Sequence, residues 1–513
     1  MCASRLLLQG MASLKYSSIR TSLRSASFNT SKSSFQNRNF EFNGIDDAVD
    51  CFNRMVHMHP PPSTLEFNRL FSSIVKMNHY SAAISLAKSM ELFGVKHDMY
   101  TFNILINCLC RLRCADFGFS LLGKILKLGL QPDTVTFNTI IKGLCTEGKV
   151  ASAVRFFDKM VDNGYQPNVV TYNTMMNCFC KVGYTHVALH LLNKMENRGC
   201  KPNVVAYNIV IDGLCKDMQF DNAFNLYLEM MDQGVTPDVV TYNSLIQGAC
   251  NSDQWKKKTT RLWNEMLARK ITPNVIIFTI IVDKLCKKGE ILEAECVLEK
   301  MIEVGVEPNV VTYTALMDGY CLVGQIDKAL KVFGDMNSKG FYANIITYST
   351  LVNGLCKVGK LEAAKDLLGD MCARGPPPDL ITYSTLLDGL CKHGCLDEAL
   401  NLFKAMQESG LELNIVTYST IIDGLSKGGM LNVARGLFSS LSIKGLIPNI
   451  NTYNILINGL CKEGFLGEAY RLFREMEGNH LSPDGITYNI IMRGFFRNNN
   501  TSFAMRLLQE MHD

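Results

Sequence analysis

Residues 134–168 read TVTFNTIIKGLCTEGKVASAVRFFDKMVDNGYQPN, and this segment decides the fold because close copies of it fill most of the chain. Apolar side chains recur at helical spacing within 135–144 and again within 153–161. Gly148 separates the two stretches, and Gly164 ends the second in the manner of a helix C-terminal cap. The segment therefore predicts a helical hairpin with two apolar faces, which can be buried only against neighbouring hairpins.

The copies follow one another at a nearly constant period of 35 residues. The fifth residue of each copy marks the frame and is always Asn, Thr or Ser: Asn68, Asn103, Asn138, Asn173, Asn208, Asn243, Thr279, Thr314, Ser349, Ser384, Ser419, Asn454 and Asn489. One extra residue falls between Asn243 and Thr279. A period of this length is typical of a stacked array, so we predict an all-α fold, an α-solenoid of about 12–13 hairpins.

The frame divides the chain into segments. We predict a disordered transit peptide over 1–40, a partial repeat over 41–63, full repeats over 64–98, 99–133, 134–168, 169–203, 204–238, 239–274, 275–309, 310–344, 345–379, 380–414, 415–449 and 450–484, and a truncated repeat over 485–513. The second predicted helix of most repeats carries Ala or Gly at one fixed point, which allows close helix packing. Thr259 breaks this rule in the repeat that holds the extra residue, so a local distortion is expected there.

The first 40 residues differ from the rest of the chain in charge. They contain six basic residues, no acidic one and many serines, which is typical of a transit peptide; a simple disordered tail is the alternative. Of the 52 basic and 48 acidic residues of the chain, 46 basic and 48 acidic therefore remain beyond this segment, a net charge of −2. Any basic surface for nucleic acid must therefore be local. No apolar run approaches the ~18 residues of a membrane span.

The 19 cysteines do not predict a disulfide framework. Ten occupy one repeat position, and equivalent positions on stacked helices lie about 8–10 Å apart, beyond the reach of a disulfide. We interpret them as small buried apolar side chains in a reducing compartment. Metal binding is not expected: neighbouring Cys pairs diverge on a helix, and His186 and His190 lack the glutamate of an HExxH motif. No cofactor is predicted.

Two positions of each repeat are polar where packing makes no evident demand. One is the fifth residue; the other is the closing residue, namely Asp98, Asp133, Asn168, Asn203, Asp238, Asn274, Asn309, Asn344, Asp379, Asn414, Asn449 and Asp484. Asn and Asp are preferred N-caps, so capping explains the closing residues. Capping does not account for the fifth residues, which change in blocks from Asn to Thr or Ser and back. A one-dimensional ligand whose identity varies along the array would require such a change.

A column of cations accompanies these positions at the end of each first predicted helix. Its members are Lys76, Arg111, Lys181, Lys216, Lys287, Lys357, Lys392, Lys427, Lys462 and Arg497. Cations there complement the helix dipole, which is one explanation. The other is an anionic strand, because like charges along one edge of an array repel each other until an anion relieves them. We predict that these side chains bind phosphates.

Segments such as Val169-Val170-Thr171-Tyr172-Asn173, together with Gly-Leu-Cys-Lys and a closing Pro-Asn or Pro-Asp, resemble pentatricopeptide repeats of the pure P class. The resemblance covers about residues 45–513, and the uniform repeats are similar to those of the restorer-of-fertility-like group of plant organellar proteins. It implies a right-handed superhelix that binds single-stranded RNA, one base per repeat, with the N-terminal repeat at the 5′ base. It also favours the mitochondrion, with the chloroplast as the alternative.

The resemblance gives each site residue a role. The second residues (Val135, Val170, Val205, Val240, Ile276, Val311, Ile346, Ile381 and Val416) would sandwich successive bases, unless they are ordinary core residues. Asn at the fifth residue goes with pyrimidines, and Thr or Ser goes with purines. A closing Asp only accepts hydrogen bonds and suits the ring N–H of uracil or guanine, whereas Asn can donate to cytosine or adenine. The pairs then predict the target 5′-UUYYUYAAGAAU-3′.

Two other classes of function are compatible with part of this pattern. A tetratricopeptide-type scaffold for protein partners is also built from helical hairpins, but it has a period of about 34 residues and a Trp-containing signature. An enzyme is not expected, because the repeats run to the last residue and no deaminase-type zinc motif is present. The sequence therefore predicts an RNA-binding protein of organellar transcripts that acts in processing, stabilisation or translational control, with any cutting done by a recruited nuclease.

Overall fold

The computed structural model describes Phe42, residues 44–60 and residues 62–512, so the predicted transit peptide lies outside the described residues. Within these ranges the secondary structure is entirely helical, and the prediction of an all-α fold is confirmed. The helices are α1 (Ile45–Val56), α2 (Thr64–Lys76), α3 (Tyr80–Leu92), α4 (Met99–Arg111), α5 (Ala115–Lys127), α6 (Thr134–Thr146), α7 (Val150–Asp162), α8 (Val169–Lys181), α9 (Thr185–Asn197), α10 (Val204–Lys216), α11 (Phe220–Asp232), α12 (Val239–Cys250), α13 (Trp255–Ala268), α14 (Val275–Lys287), α15 (Ile291–Glu303), α16 (Val310–Leu322), α17 (Ile326–Ser338), α18 (Ile345–Lys357), α19 (Leu361–Arg374), α20 (Leu380–Lys392), α21 (Leu396–Glu408), α22 (Ile415–Lys427), α23 (Leu431–Ile443), α24 (Ile450–Lys462), α25 (Leu466–Gly478), α26 (Gly485–Arg497) and α27 (Thr501–His512).

From α2 onward the helices pair into hairpins, each with an even-numbered first helix and an odd-numbered second helix. The chain divides at Gly213 into an N-terminal and a C-terminal compact part. Within each part, a first helix packs against its own second helix and against the first helix of the next hairpin. Examples are α6 with α7 and α8 in the N-terminal part, and α18 with α19 and α20 in the C-terminal part. Each part is therefore a stack of helical hairpins.

Glycine ends the helices where the chain must turn. Gly148 and Gly164 adopt φ angles of 75° and 81°, in the left-handed region that side chains with a Cβ disfavour. They follow the last turns of α6 and α7, as the sequence predicts. The same arrangement recurs through the array, which keeps the hairpins nearly identical in length.

Small residues on the second helices lie at the centre of the stack. The side chains at this point are fully buried in Ala83, Ala153, Ala188, Ala223, Ala294, Ala329, Ala364, Ala399, Ala434, Ala469 and Ala504. Thr259 takes this place in α13, where its hydroxyl lies 3.7 Å from the Cys250 sulfur. That hairpin has a first helix of 12 residues and a second helix of 14, so the irregularity expected from the sequence is present in this repeat.

A second close contact joins neighbouring first helices. The tenth residue of most repeats is glycine, and it faces the cysteine at the twelfth position of the preceding repeat. A Cβ added to Gly389 in α20 would lie 2.6 Å from the Cβ of Cys356 in α18. Because real Cβ atoms do not approach so closely, this glycine is required by packing and not by backbone conformation.

We expect Gly389→Ala to destabilise the fold by about 1–3 kcal/mol, because the added methyl group overpacks the contact with Cys356. Gly369 in α19 is the matched control, since nothing lies within 4 Å of a Cβ built there. Gly369→Ala should instead stabilise the helix by about 0.5–1 kcal/mol. Urea unfolding followed by circular dichroism measures both changes. If both variants changed the free energy of unfolding in the same direction, the packing contact at Gly389 would be contradicted.

Candidate nucleic-acid interface

The closing residue of each repeat caps the first helix of the next. Its Oδ1 atom accepts a hydrogen bond from the backbone N–H three residues later, at 2.8–3.1 Å, in every repeat from 64–98 to 450–484. The capping role expected from the sequence is therefore present at all these residues. It holds each side chain in one orientation at the start of a first helix.

The Oδ1 atom accepts the capping hydrogen bond whether the closing residue is Asn or Asp. The second terminal atom then differs: it is the Nδ2 donor in Asn414 and the Oδ2 acceptor in Asp379. Burial alone would raise the pKa of Asp98, but hydrogen bonds from Thr101 and Asn68 lower it below the ordinary value. Such a carboxylate stays ionised at neutral pH and can only accept. The cap thus converts the choice between Asn and Asp into a choice between a donor and an acceptor.

The fifth and closing residues of one repeat lie 30 residues apart in sequence and meet in the structure. The Nδ2 atom of Asn68 donates to both carboxylate oxygens of Asp98, at 2.9 and 3.0 Å. The Nδ2 atom of Asn103 lies 3.3 Å from Oδ1 of Asp133. The predicted fifth and closing residues therefore meet in these two repeats, and also in Asn138–Asn168 and Asn454–Asp484.

Many of the fifth residues also contact a residue that sequence reasoning missed. This is the third residue of the following repeat, which is threonine in Thr101, Thr136, Thr171, Thr241, Thr312, Thr347, Thr382, Thr417, Thr452 and Thr487, all of them buried. Thr136 donates to Asn103 Oδ1 at 2.7 Å and to Asp133 Oδ1 at 2.8 Å. The signal that could have found these residues is their recurrence at one repeat position.

In the block with Thr or Ser at the fifth position, the contact is between two hydroxyl groups. The oxygen atoms lie 2.7–3.1 Å apart in Thr279–Thr312, Thr314–Thr347, Ser349–Thr382, Ser384–Thr417 and Ser419–Thr452. The fifth residues of this block therefore also take part in the local structure. They join the capped start of the next helix through its threonine.

Two repeats lack the threonine hydroxyl, with a visible consequence. Ala206 and Ile277 stand at the third position, and the buried Oδ1 atoms of Asn173 and Asn243, 33 and 34 residues earlier, have no hydrogen-bond partner. The Oδ1 atoms of Asn138 and Asn454 also lack a partner although the next repeats carry Thr171 and Thr487, so the missing hydroxyl is one cause among several. Where the hydroxyl is present, as at Thr136, it orients the asparagine amide.

We expect Thr136→Val to destabilise the protein by about 1–3 kcal/mol, because the isosteric change leaves the Asn103 carbonyl oxygen without its donor. Ala206→Thr is the reverse change and should stabilise the protein, because it supplies a donor next to Asn173. Thermal and urea unfolding of both variants provide the measurement. A loss of stability in both, or in neither, would show that the threonine hydroxyl does not orient these amides.

The second residues of the repeats are exposed. Their side chains are 48–68% accessible in Val135, Val170, Val205, Val240, Ile276, Val311, Ile346, Ile381 and Val416. The alternative that they are ordinary core residues is therefore wrong. The same repeat position is occupied by Leu65, Tyr100 and Ile486, whose side chains are 58–63% exposed. They are absent from the sequence prediction because it includes only the Val and Ile residues in the middle of the array. Apolar side chains in such a regular exposed row indicate a ligand surface.

An open cleft in the C-terminal part shows which positions share this surface. It has a volume of about 380 Å³ and lies between α24 and α26, with the end of α22 alongside. The predicted residues Asn454, Asp484 and Lys427 line it together. The sixth and ninth positions of the repeat, such as Ile455 and Asn458, line it as well and were also missed. Positions 2, 5, 6, 9 and 13 lie on one helix face, so helical periodicity could have found them.

The predicted phosphate cations are all exposed and stand at the last residue of a first helix. Some of them form ion pairs with an aspartate four residues earlier, as in Lys287–Asp283 at 2.7 Å, Lys392–Asp388 at 2.6 Å and Lys427–Asp423 at 2.6 Å. Such surface pairs contribute little to stability, so an anion can compete for these cations. The pKa of Asp318, on the first helix after that of Asp283, is raised mainly by burial and then by repulsion from the Asp283 carboxylate.

The described residues lack two features that would suggest another kind of site. No cluster of three or more His, Cys, Asp or Glu side chains is placed to bind a metal ion in residues 44–60 and 62–512. In the same stretches, no helix combines the length and the apolar character that a membrane crossing needs.

Comparison with known proteins identifies the family. A model of the PPR repeat family matches residues 62–111, 132–181, 167–216, 202–251, 237–287, 273–322, 308–357, 344–392, 385–427, 413–462 and 448–497, and a PPR repeat model matches 100–130 and 486–513. These matches cover far more than half of the chain. The chain therefore belongs to the PPR repeat family, and the tetratricopeptide alternative is set aside.

Individual relatives match over short segments. The mitochondrial pentatricopeptide repeat-containing protein At1g62680 of Arabidopsis thaliana is 53% identical over 66 residues, 13% of this chain and 12% of the relative. The mitochondrial protein At1g12300 of the same plant is 48% identical over 68 residues, 13% of this chain and 11% of the relative. Each match thus spans only about an eighth of the relative.

Solved structures with a similar arrangement of helices include two complexes with RNA. The crystal structure of the pentatricopeptide repeat protein PPR10 with an 18-nt psaJ RNA element has a TM-score of 0.44 at 22% identity, covering 90% of this chain and 82% of that chain. Yeast Rmd9p with its 16-nt target RNA has a TM-score of 0.39 at 13% identity, covering 86% of this chain and 96% of that chain.

Proposed function

We propose that this protein binds single-stranded RNA in a sequence-specific manner, one base per repeat, with the target 5′-UUYYUYAAGAAU-3′. The observation that carries the proposal is the capping arrangement of the closing residues. In each one, Oδ1 accepts the capping hydrogen bond, and the other terminal atom, Nδ2 in Asn or Oδ2 in Asp, is left for a ligand. A row of fixed donors and acceptors can read the edge of one base after another.

Three features support a nucleic-acid ligand over a protein partner. The exposed second residues can make apolar contacts with the flat face of a base, and every base has such a face. The cations at the ends of the first helices stand at the repeat period and can bind the phosphates between those bases. The polar pairs vary along the chain while the core does not. A ligand made of a constant backbone and variable bases has the same organisation.

A direct binding measurement tests the proposal. The full chain is expected to shift a 12-nucleotide RNA of the predicted sequence in a gel, and to bind its complement far more weakly. A DNA strand of the same sequence and a double-stranded RNA serve as controls for the kind of nucleic acid. Equal affinity for the target and its complement would remove sequence-specific recognition, and no binding to any RNA would remove the function itself.

We propose a P-class, restorer-of-fertility-like protein of the mitochondrion that acts on a transcript by binding and not by catalysis. The names of the two Arabidopsis relatives support the mitochondrion, and the chloroplast is the alternative. Residues 1–60 fused to a fluorescent reporter should enter mitochondria; cytosolic or plastid fluorescence would oppose this location. Processing, end stabilisation and translational control are the candidate outcomes, with cleavage assigned to a recruited nuclease. Crosslinking and sequencing of bound RNA from the organelle would distinguish them.

A further inference from the structure

Neighbouring first helices touch at a contact between the twelfth residue of one repeat and the tenth residue of the next. In eight such contacts a cysteine faces a glycine: Cys110–Gly143, Cys180–Gly213, Cys215–Gly248, Cys286–Gly319, Cys321–Gly354, Cys356–Gly389, Cys391–Gly424 and Cys461–Gly494. A Cβ built on the glycine lies 2.5–3.0 Å from the cysteine Cβ in each. The twelfth and tenth positions therefore form a close contact between neighbouring repeats.

One contact departs from this pattern. In α8 the tenth residue is Cys178 in place of glycine, and the residue opposite it in α6 is Cys145. Cys178 is 3% exposed, and Cys145 is partly exposed. At the equivalent contacts a Cβ built on the glycine comes within 2.5–3.0 Å of the cysteine Cβ, so two real side chains at these positions must be in direct contact. A disulfide needs Cβ atoms about 3.5–4.5 Å apart, which such a contact can provide. Equivalent cysteines are too distant to pair, but these two occupy different positions of adjacent repeats.

The two thiols interact with each other and with one cation. Their mutual hydrogen bond, followed by burial, raises the pKa of Cys145. The same hydrogen bond lowers the pKa of Cys178, against the effect of burial and with help from the charge of Lys181. One proton leaves the hydrogen-bonded pair more readily than the second, and we assign the resulting thiolate to Cys178, with Cys145 as the neighbouring thiol.

We propose that Cys145 and Cys178 are a redox site that forms a reversible disulfide between the third and fourth full repeats. Hydrogen peroxide, a small oxidant, reacts with the Cys178 thiolate and gives a sulfenic acid and hydroxide. The Cys145 sulfur then attacks the sulfenic sulfur, the S–S bond forms, and the oxygen leaves as water. In sum, two thiols and one peroxide molecule give one disulfide and two water molecules. A dithiol reductant reverses the reaction.

Peptide mapping of the full chain tests this site. Trypsin releases Cys145 in residues 143–149 and Cys178 in residues 160–181, and the latter peptide also contains Cys180. The experiment therefore uses a Cys180→Ser background. After mild peroxide treatment and alkylation of the remaining thiols, mass spectrometry should detect the two peptides linked, with the mass of two hydrogens lost. Dithiothreitol should restore both alkylated peptides.

Two controls make the result decisive. Cys145→Ser removes the partner, so peroxide should convert Cys178 to its sulfenic or sulfinic form and yield no linked peptide. Cys215 faces Gly248 at the equivalent contact and should remain alkylated under the same treatment. Circular dichroism melts of the variants confirm that they fold. The proposal is overturned if both thiols of the unmodified pair stay separately alkylated, or if Cys178 links equally to other cysteines. Neither result depends on RNA binding.

Discussion

The affinity of the full chain for its target RNA is expected to fall about a thousandfold or more when the salt concentration rises from about 50 to about 200 mM. The reason is release of counterions from phosphates bound by the cations at the ends of the first helices. Each such contact to a single strand contributes about −0.7 to the slope of log affinity against log salt. Ten cations predict a slope of up to about −7, and aspartate partners such as those of Lys287, Lys392 and Lys427 make it less steep, about −5.

Charge-removing variants separate this column from the general charge of the protein. Combined alanine substitution of Lys76, Lys181, Lys357 and Lys462 should reduce the slope by about 3. The matched control substitutes exposed lysines of the second helices, Lys159, Lys194, Lys331 and Lys404, and should leave the slope nearly unchanged. Fluorescence anisotropy at several salt concentrations measures both. An equal reduction in the two sets would mean that the first-helix column has no special contact with phosphate.

Removing the aspartate partner of an ion-paired cation should have the opposite effect on RNA binding from removing a cation. Asp388 holds Lys392 at 2.6 Å, whereas the preceding repeat has Asn353 at the same position. Asp388→Asn is therefore a change the repeat already tolerates, and it removes a negative charge from the proposed phosphate path. We expect tighter RNA binding and a steeper salt slope for this variant. Weaker binding would place Asp388 away from the RNA backbone.

Asp379→Asn is expected to change the preferred ninth base of the target from G to A. In the structure both the backbone N–H and the hydroxyl of Thr382 donate to Oδ1 of Asp379. Asparagine can keep this cap, as Asn414 does in the next repeat, so the fold should be unaffected. The only change is at the other terminal atom, where a donor replaces an acceptor. The preference between the two RNAs should move by about 1–3 kcal/mol, the scale of a good base contact.

The reverse change provides the control. Asn414→Asp should move the tenth base from A towards G, since it exchanges a donor for an acceptor in the same capped geometry. Asp379→Ala should lose the cap, about 0.5–2 kcal/mol of stability, and the preference between G and A together. Competition gel shifts with RNAs that differ at one base measure each variant. If Asp379→Asn and the wild type prefer the same ninth base, the assignment of bases to repeats is wrong while the fold stands.

The sequence alone determined the helical hairpins and their ends. Apolar spacing within 135–144, the turn at Gly148 and the cap at Asn168 each depend on residues within a few positions of one another, and the structure has them as predicted. The period of 35 residues added the stacking, because a hairpin with two apolar faces has no other way to bury them. The column of cations and the fifth and closing residues could also be found by comparing the repeats with one another.

The tertiary structure decided which of these residues meet. Asn103 touches Asp133 and Thr136, 30 and 33 residues later, only because the next hairpin packs against its own. The same packing turns Val135 to the surface and sets Cys145 against Cys178, which spacing within one repeat does not reveal. Periodicity places a side chain on a face of its helix, but the neighbour that covers that face is chosen by the distance and angle between helices. Those quantities follow from close packing of many side chains, and no single segment of sequence contains them.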